Sequence, residues 1–266
     1  MSSTMVTEDV VRGIKVPPST RSFSPVRNDE LLDMVEDVAG QFDLAMENGK
    51  FTLSNKNHRM FASFDLRGQN TMDGDIIFQL GIRNSCDKTI TAGVCFGSKV
   101  FVCSNLMFVA YGDNEYGIRG RTSHKHTVNV ENVLYDRLMD SFSQFEKVKE
   151  WQTRFYVALH NRHLRREKAY ENIIKAARAD ILNKKDILEV ADYWDWQARE
   201  PEQRVREFNG VERTWHPEFQ GRDGYSLLNA YTEINKTKQE RNFGVAATKS
   251  MSLVKFLHQT LVPNLN

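Results

Sequence analysis

The residues best suited to do chemistry form a short basic run. Positions 116–126 read Tyr-Gly-Ile-Arg-Gly-Arg-Thr-Ser-His-Lys-His, with Arg119, Arg121, Lys125, His124 and His126 and no acidic residue. Two glycines make such a segment flexible. A Gly/Arg/Lys/His composition follows phosphates, and Tyr116 is placed to stack on a base. Arg162, Arg165, Arg166 and Lys168 make a second basic group inside a helical stretch, where a solvated face is the simpler explanation. Arg12, Lys15, Arg21 and Arg27 are the charges between Asp9 and Asp29 and make a third.

Other chemistries are poorly served. Asp73 and Asp75 flank a glycine, and with Asp65 they could feed a two-metal hydrolase built from distant segments. No Asp or Glu is followed two places later by Lys, so the common metal-nuclease core is missing, and Asp73-Gly74-Asp75 reads as a turn. His160 and His163 share a helical face with Glu167, but their neighbours are Asn161, Arg162, Arg165 and Arg166, as on a solvated surface. The run 93–99 ends in Gly97-Ser98-Lys99 but lacks the spacing of a phosphate-binding loop. Cys86, Cys95 and Cys103 contain no CxxC pair and read as small reduced hydrophobes. Trp194, Trp196 and Trp215 suit a core better than a base-stacking platform.

The elements that must position these groups follow from periodicity. Residues 1–28, with Pro17, Pro18 and Pro25, are expected to form a flexible basic arm. Asn28 is the expected N-cap of a short helix that stops near Gly40, with Asp29, Glu30 and Asp33 at its positive end. From Phe42 to about Tyr111 short apolar runs alternate with turns. Asn48-Gly49 signals a hairpin, Ile76, Phe78, Leu80 and Ile82 alternate, and Gly97-Ser98 separates two more runs. Between strands, Asn84, Ser85 and Asp87 are expected to close turns through backbone hydrogen bonds. After Val130 the period becomes helical, with Leu134, Leu138, Phe142, Phe145, Val148, Phe155 and Leu159 on one stripe. The expected fold class is α+β: an antiparallel β-meander sheet packed against a long helix, with a helical C-terminal half. The expected division is 1–28 arm, 29–182 sheet domain with the long helix, and 183–266 helical region.

Composition narrows the partners. The 266 residues carry 36 Lys+Arg against 35 Asp+Glu, a formal net charge of +1. Bulk-charge binding of a polyanion is excluded, and any such contact must run along a local basic track. The 40% hydrophobic content supports a real core and rules out wholesale disorder. No run approaches the ~20 apolar residues of a membrane span, and the N-terminus lacks the pattern of a secretory signal.

Three segments resemble an uncharacterised family found in phages, plasmids and genomic islands. Arg83-Asn84-Ser85-Cys86-Asp87-Lys88-Thr89 is similar to that family's Asn-Ser-aromatic-Asp turn, departing from it at Cys86. Val100-Phe101-Val102-Cys103-Ser104-Asn105, followed at a distance by Lys125-His126-Thr127, is similar to its Val-Cys-x-Asn strand end and basic-His-Thr unit. Gly224-Tyr225-Ser226-Leu227-Leu228-Asn229-Ala230-Tyr231-Thr232-Glu233 is similar to its aromatic-x-Leu-x-Asn-Ala-x-Thr-Glu helix. The resemblance implies a mobile-element setting near recombination and anti-restriction functions. It brings no catalytic residues.

The functional expectation is a non-enzymatic, sequence-tolerant single-stranded DNA-binding protein of a bacteriophage or mobile element, working in the host cytoplasm as a homo-oligomer. It would anneal or protect strands, or bring a phage RNA polymerase or recombination protein to exposed template. The expected contacts are Lys88, Tyr116, Arg119, Arg121, Lys125, His126, Arg165 and Arg166, with Trp215 as a further stacking residue. No metal, cofactor or membrane is called for. The alternatives are a metal-dependent nucleic-acid hydrolase and an interaction protein that inhibits a host defence enzyme.

Overall fold

The computed structural model describes residues 4–54, 56, 58–68, 72, 73, 76–100, 106–108, 121–197, 207, 208, 211, 212, 222–239 and 243–265. The fold is α+β. The chain forms two compact units, Met1–Trp151 with Lys238–Met251, and Gln152–Thr237 with Ser252–Asn266. The change of unit falls inside a helix at 151/152.

The first unit opens with β1 (Thr4–Val6), α1 (Glu8–Arg12) and α2 (Asn28–Gln41). Strands β2 (Ala45–Ser54), β3 (Arg59–Arg67), β4 (Met72–Asp73), β5 (Ile76–Ser85), β6 (Ala92–Val100), β7 (Leu106–Phe108) and β8 (Arg121–His124) follow. The sheet order is β1-β2-β3-β5-β6-β7, with β4 paired to β5 and β8 to β6. Every pairing is antiparallel, so the meander is present.

Alternate residues on β3, β5 and β6 build the core face: Met60, Ala62, Phe64; Phe78, Leu80, Ile82; Val94, Phe96. Helices α3 (Val130–Ser143) and α4 (Phe145–His160) lay the apolar stripe of the sequence against them. Phe96 meets Phe142 and Phe145 at centroid distances of 5.1 Å each, and Phe78 meets Phe145 at 6.0 Å. Helix α2 packs beside α3, where Phe42 stacks on Phe142.

Four local readings change. The long helix is broken at Gln144, because Ser143 Oγ donates to the Asp140 carbonyl and competes with the next helical turn. Asn48-Gly49 is not a hairpin. β2 runs through it, and the register against β3 shifts between Glu47 and Lys50. Asn48 takes a left-handed φ of 53°, so the pair makes a β-bulge, which uses the same turn chemistry as a hairpin. Gly97-Ser98 is strand interior, opposite Gln79 and Phe78.

The arm is the fourth. Val11, Phe23, Pro25, Val26 and Asn28 are buried, so residues 4–28 form part of this unit. Two of its cations are committed. Arg12 pairs with Glu8 at 2.7 Å and Asp33 at 2.6 Å, and Arg27 pairs with Asp29. Arg27, not Asn28, is the N-cap of α2, and its backbone N–H donates to Glu30.

The second unit contains the end of α4, α5 (Arg166–Arg178), a 3-10 turn (Lys184–Asp186), α6 (Ile187–Gln197), the two-residue strands β9 (Glu207–Phe208) and β10 (Val211–Glu212), most of α7 (Gly224–Gln239) and the end of α8 (Phe243–Leu261). Trp194 and Tyr231 are its largest fully buried side chains. Tyr231 Oη donates to Asn172 Oδ1, and Asn172 Nδ2 donates to Thr260 Oγ1 at 2.9 Å, tying α5, α7 and α8 together.

Candidate nucleic-acid interface

Lys88 and the Lys125–His126 step are brought together in the first unit, around Phe23. Lys88 sits in the β5–β6 loop with a left-handed φ of 65°, exposed, and its Nζ lies 4.6 Å from the Phe23 ring centroid. The same ring meets His126 edge-on at 5.8 Å. Lys125 is exposed beside it. Two long-range contacts, from residue 23 to 88 and from 23 to 126, thus link the two segments that carry Lys88 and Lys125.

The loop geometry is built from short polar groups. Ser85 Oγ donates to the Ile90 carbonyl and accepts the Ile90 N–H. Asp87 accepts both the backbone N–H and the hydroxyl of Thr89. Arg59 Nε donates to Thr89 Oγ1 at 2.7 Å, and Arg83 Nη2 donates to Thr91 Oγ1 at 2.7 Å. Arg59, Phe61 and Arg83 occupy the strand positions alternate to the core face, with Phe61 directly opposite Arg83. Sequence reasoning missed these arginines as candidates, although their alternation with Met60 and Ile82 places them outside the core.

His126 does not serve as a surface contact. It is 6% exposed, and its Nδ1 accepts the Val26 N–H at 3.3 Å, which places the ring proton on Nε2. Burial holds its pKa below the ordinary imidazole value, with the Ile90 backbone opposing and His124 adding to the shift. Asn84, 1% exposed, makes no turn. Its Nδ2 reaches the Val26 carbonyl and Asn28 Oδ1, each at 2.9 Å. Asn28 Nδ2 continues to the Val11 carbonyl.

The remaining expected contacts are scattered. Tyr116 and Arg119 lie outside the described residues, as does Trp215. Arg121 pairs with Cys95 in the β8–β6 ladder, and its side chain also lies outside the described set. Arg165 and Arg166 belong to the second unit, both exposed at the start of α5. Arg166 is committed to Asp195 at 2.6 Å and to the Tyr170 hydroxyl at 3.1 Å, so its charge is largely matched. Trp194 and Trp196 are core residues.

The carboxylates of the hydrolase alternative do not assemble where they can be seen. Asp65 is 2% exposed and accepts from Asn48 Nδ2 at 2.9 Å and Gln79 Nε2 at 2.6 Å. The side chains of Asp73 and Asp75 lie outside the described residues. Among the described residues, no group of three or more His, Cys, Asp or Glu could hold a metal. His160 faces Asp223 at 3.2 Å and stacks on Tyr225 at 4.1 Å. No described helix is long and apolar enough to cross a membrane.

The class defined by these features is an α+β protein with a basic, aromatic-backed loop cluster at one end of a meander sheet. The chain belongs to the family described as domain of unknown function DUF932, whose model matches residues 19–253. No curated protein and no solved structure matches it.

Proposed function

We propose that this chain is a non-enzymatic, sequence-tolerant single-stranded DNA-binding protein of a bacteriophage or mobile element, acting in the host cytoplasm. The observation that carries the reading is that Phe23 joins the Lys88 loop to His126, next in sequence to the exposed Lys125, while Arg59 and Arg83 hydrogen-bond Thr89 and Thr91 of the β5–β6 loop. The 119–121 arginines join Lys125 in sequence. Cations along a track contact successive phosphates, and affinity of this kind falls with salt. Tyr116 supplies a stacking surface. In this reading the chain assembles along the strand, and it anneals strands, shields them, or brings a phage RNA polymerase or recombination protein to exposed template.

The test is fluorescence anisotropy with labelled single- and double-stranded oligonucleotides over a salt series, with and without magnesium. Single strands should bind at low salt. Lys88→Ala with Lys125→Ala should weaken binding and reduce the salt slope by about 0.7 per lost contact. Absence of single-strand binding at low salt would sink the reading. Magnesium-dependent cleavage would replace it with the hydrolase.

A further inference from the structure

The contacts that hold the N-terminal arm converge on one imidazole. The Ser24 N–H donates to the His126 carbonyl at 3.2 Å, and the Val26 N–H donates to His126 Nδ1 at 3.3 Å. The Val26 carbonyl accepts from Asn84. Phe23 lies between His126 and Lys88. Phe23, Val26, Asn84 and His126 are all buried. Among the described residues Asn84 Oδ1 has no hydrogen-bond partner. The Nδ1 side of His126 is specified for the neutral ring, because the group facing it, the Val26 N–H, can only donate.

We propose that residues 20–27 form a latch that closes on neutral His126 and opens when that imidazole is protonated. The chemistry is direct. Neutral His126 accepts at Nδ1; protonated His126 donates there and meets the Val26 N–H donor head-on. The new charge would also be buried. Besides burial, the groups acting on it are the Ile90 backbone and Asp87 in the β5–β6 loop, which favour protonation, and His124, which opposes it. Asp87 is already engaged by Thr89 and lies 3.9 Å from Arg59, so its compensation is weak. Lys88, on the other side of Phe23, adds a like charge nearby. Opening moves Phe23 off Lys88 and leaves the sheet in place, because the strand ladders do not depend on the arm beyond β1.

The sign follows from linkage. The closed state binds its proton less readily than the open state, so closure is complete above the ordinary imidazole value of about 6.5 and is lost below it. The inference does not rest on the nucleic-acid reading, although the two share Phe23 and Lys88.

The experiment is NMR on the full chain from about pH 7.5 to about pH 5. At the upper end His126 should carry its proton on Nε2, and the Ser24 and Val26 amides should be protected from exchange. On acidification those two amides should lose protection together with His126 titration, below the midpoint of a free imidazole, while β3 and β5 amides stay protected. An arm that stays closed through His126 titration would overturn the proposal, as would loss of the arm and the sheet in one step. His126→Asn keeps an acceptor at the Nδ1 position without a titration, so its arm should stay closed at the acid end; acid opening in that variant overturns the latch. Asn84→Ala retains His126 but removes both grips on the arm, so its opening should move to higher pH. An unchanged opening pH there counts against the proposal.

Discussion

The Asp223 carboxylate accepts the Ser226 backbone N–H at 2.7 Å and faces His160 Nδ1 at 3.2 Å. The first contact caps α7 at its N-terminus; the second ties the helix to the end of α4 within the same unit. Burial alone would raise its pKa. The hydrogen bonds from His160 and Ser226 outweigh burial and hold the carboxyl below its ordinary value. A depressed carboxyl stabilises the fold above the unfolded value of about 3.9, and the contribution disappears as pH falls through the folded one. Asp223→Ala should therefore cost about 1–2 kcal/mol at neutral pH, read as a lower urea midpoint. Asp223→Asn, which still caps, should cost less and should flatten the acid limb of the stability curve. Equal losses for the two variants would show that the cap contributes nothing.

Among the elements, β8 depends on one glycine. A Cβ built on Gly93 would stand 2.3 Å from the Thr122 carbonyl oxygen and 2.7 Å from Ser123 Cβ. Backbone cannot yield at that distance, so β8 approaches β6 only because residue 93 lacks a side chain. Gly93→Ala should destabilise the first unit by about 1–3 kcal/mol. Exchange protection should fall first at Thr122 and Ser123; a variant with wild-type protection at β8 would refute the close-approach argument. The same element shows where sequence reading succeeds and stops. Alternation at 76–82 and the stripe from Leu134 to Val148 are local periodicities, so the strands, the helices and the core face were legible. Asn48-Gly49 was misread because a left-handed residue pair serves a bulge as well as a hairpin. The sequence suggests a turn for Asn84 and a surface for His126 because their shared partner, Val26, lies 58 and 100 positions away along the chain. No local pattern reports such a pairing. Charge alone singles out Lys88, but its contact with Phe23, 65 positions away, requires the fold.

For the whole molecule, the charge balance decides how binding must behave. With a net charge of +1, no long-range field draws a polyanion in, so affinity rests on the contacts themselves. Arg12, Arg27 and Arg166 are spent on ion pairs with Asp33, Asp29 and Asp195 and add little. The proposed contacts in the first unit are Lys88, Arg119, Arg121 and Lys125. Four phosphate contacts on a single strand imply a log–log salt slope of about −2.8. Raising salt fourfold should then weaken binding by roughly 50-fold. A protein that bound through bulk charge, with about ten contacts, would lose about ten-thousand-fold over the same range. Anisotropy at both salt concentrations separates the two regimes without any variant. A slope near −7 would mean that the narrow track is the wrong description, and a slope near zero would mean that phosphates are not what the loop cluster recognises.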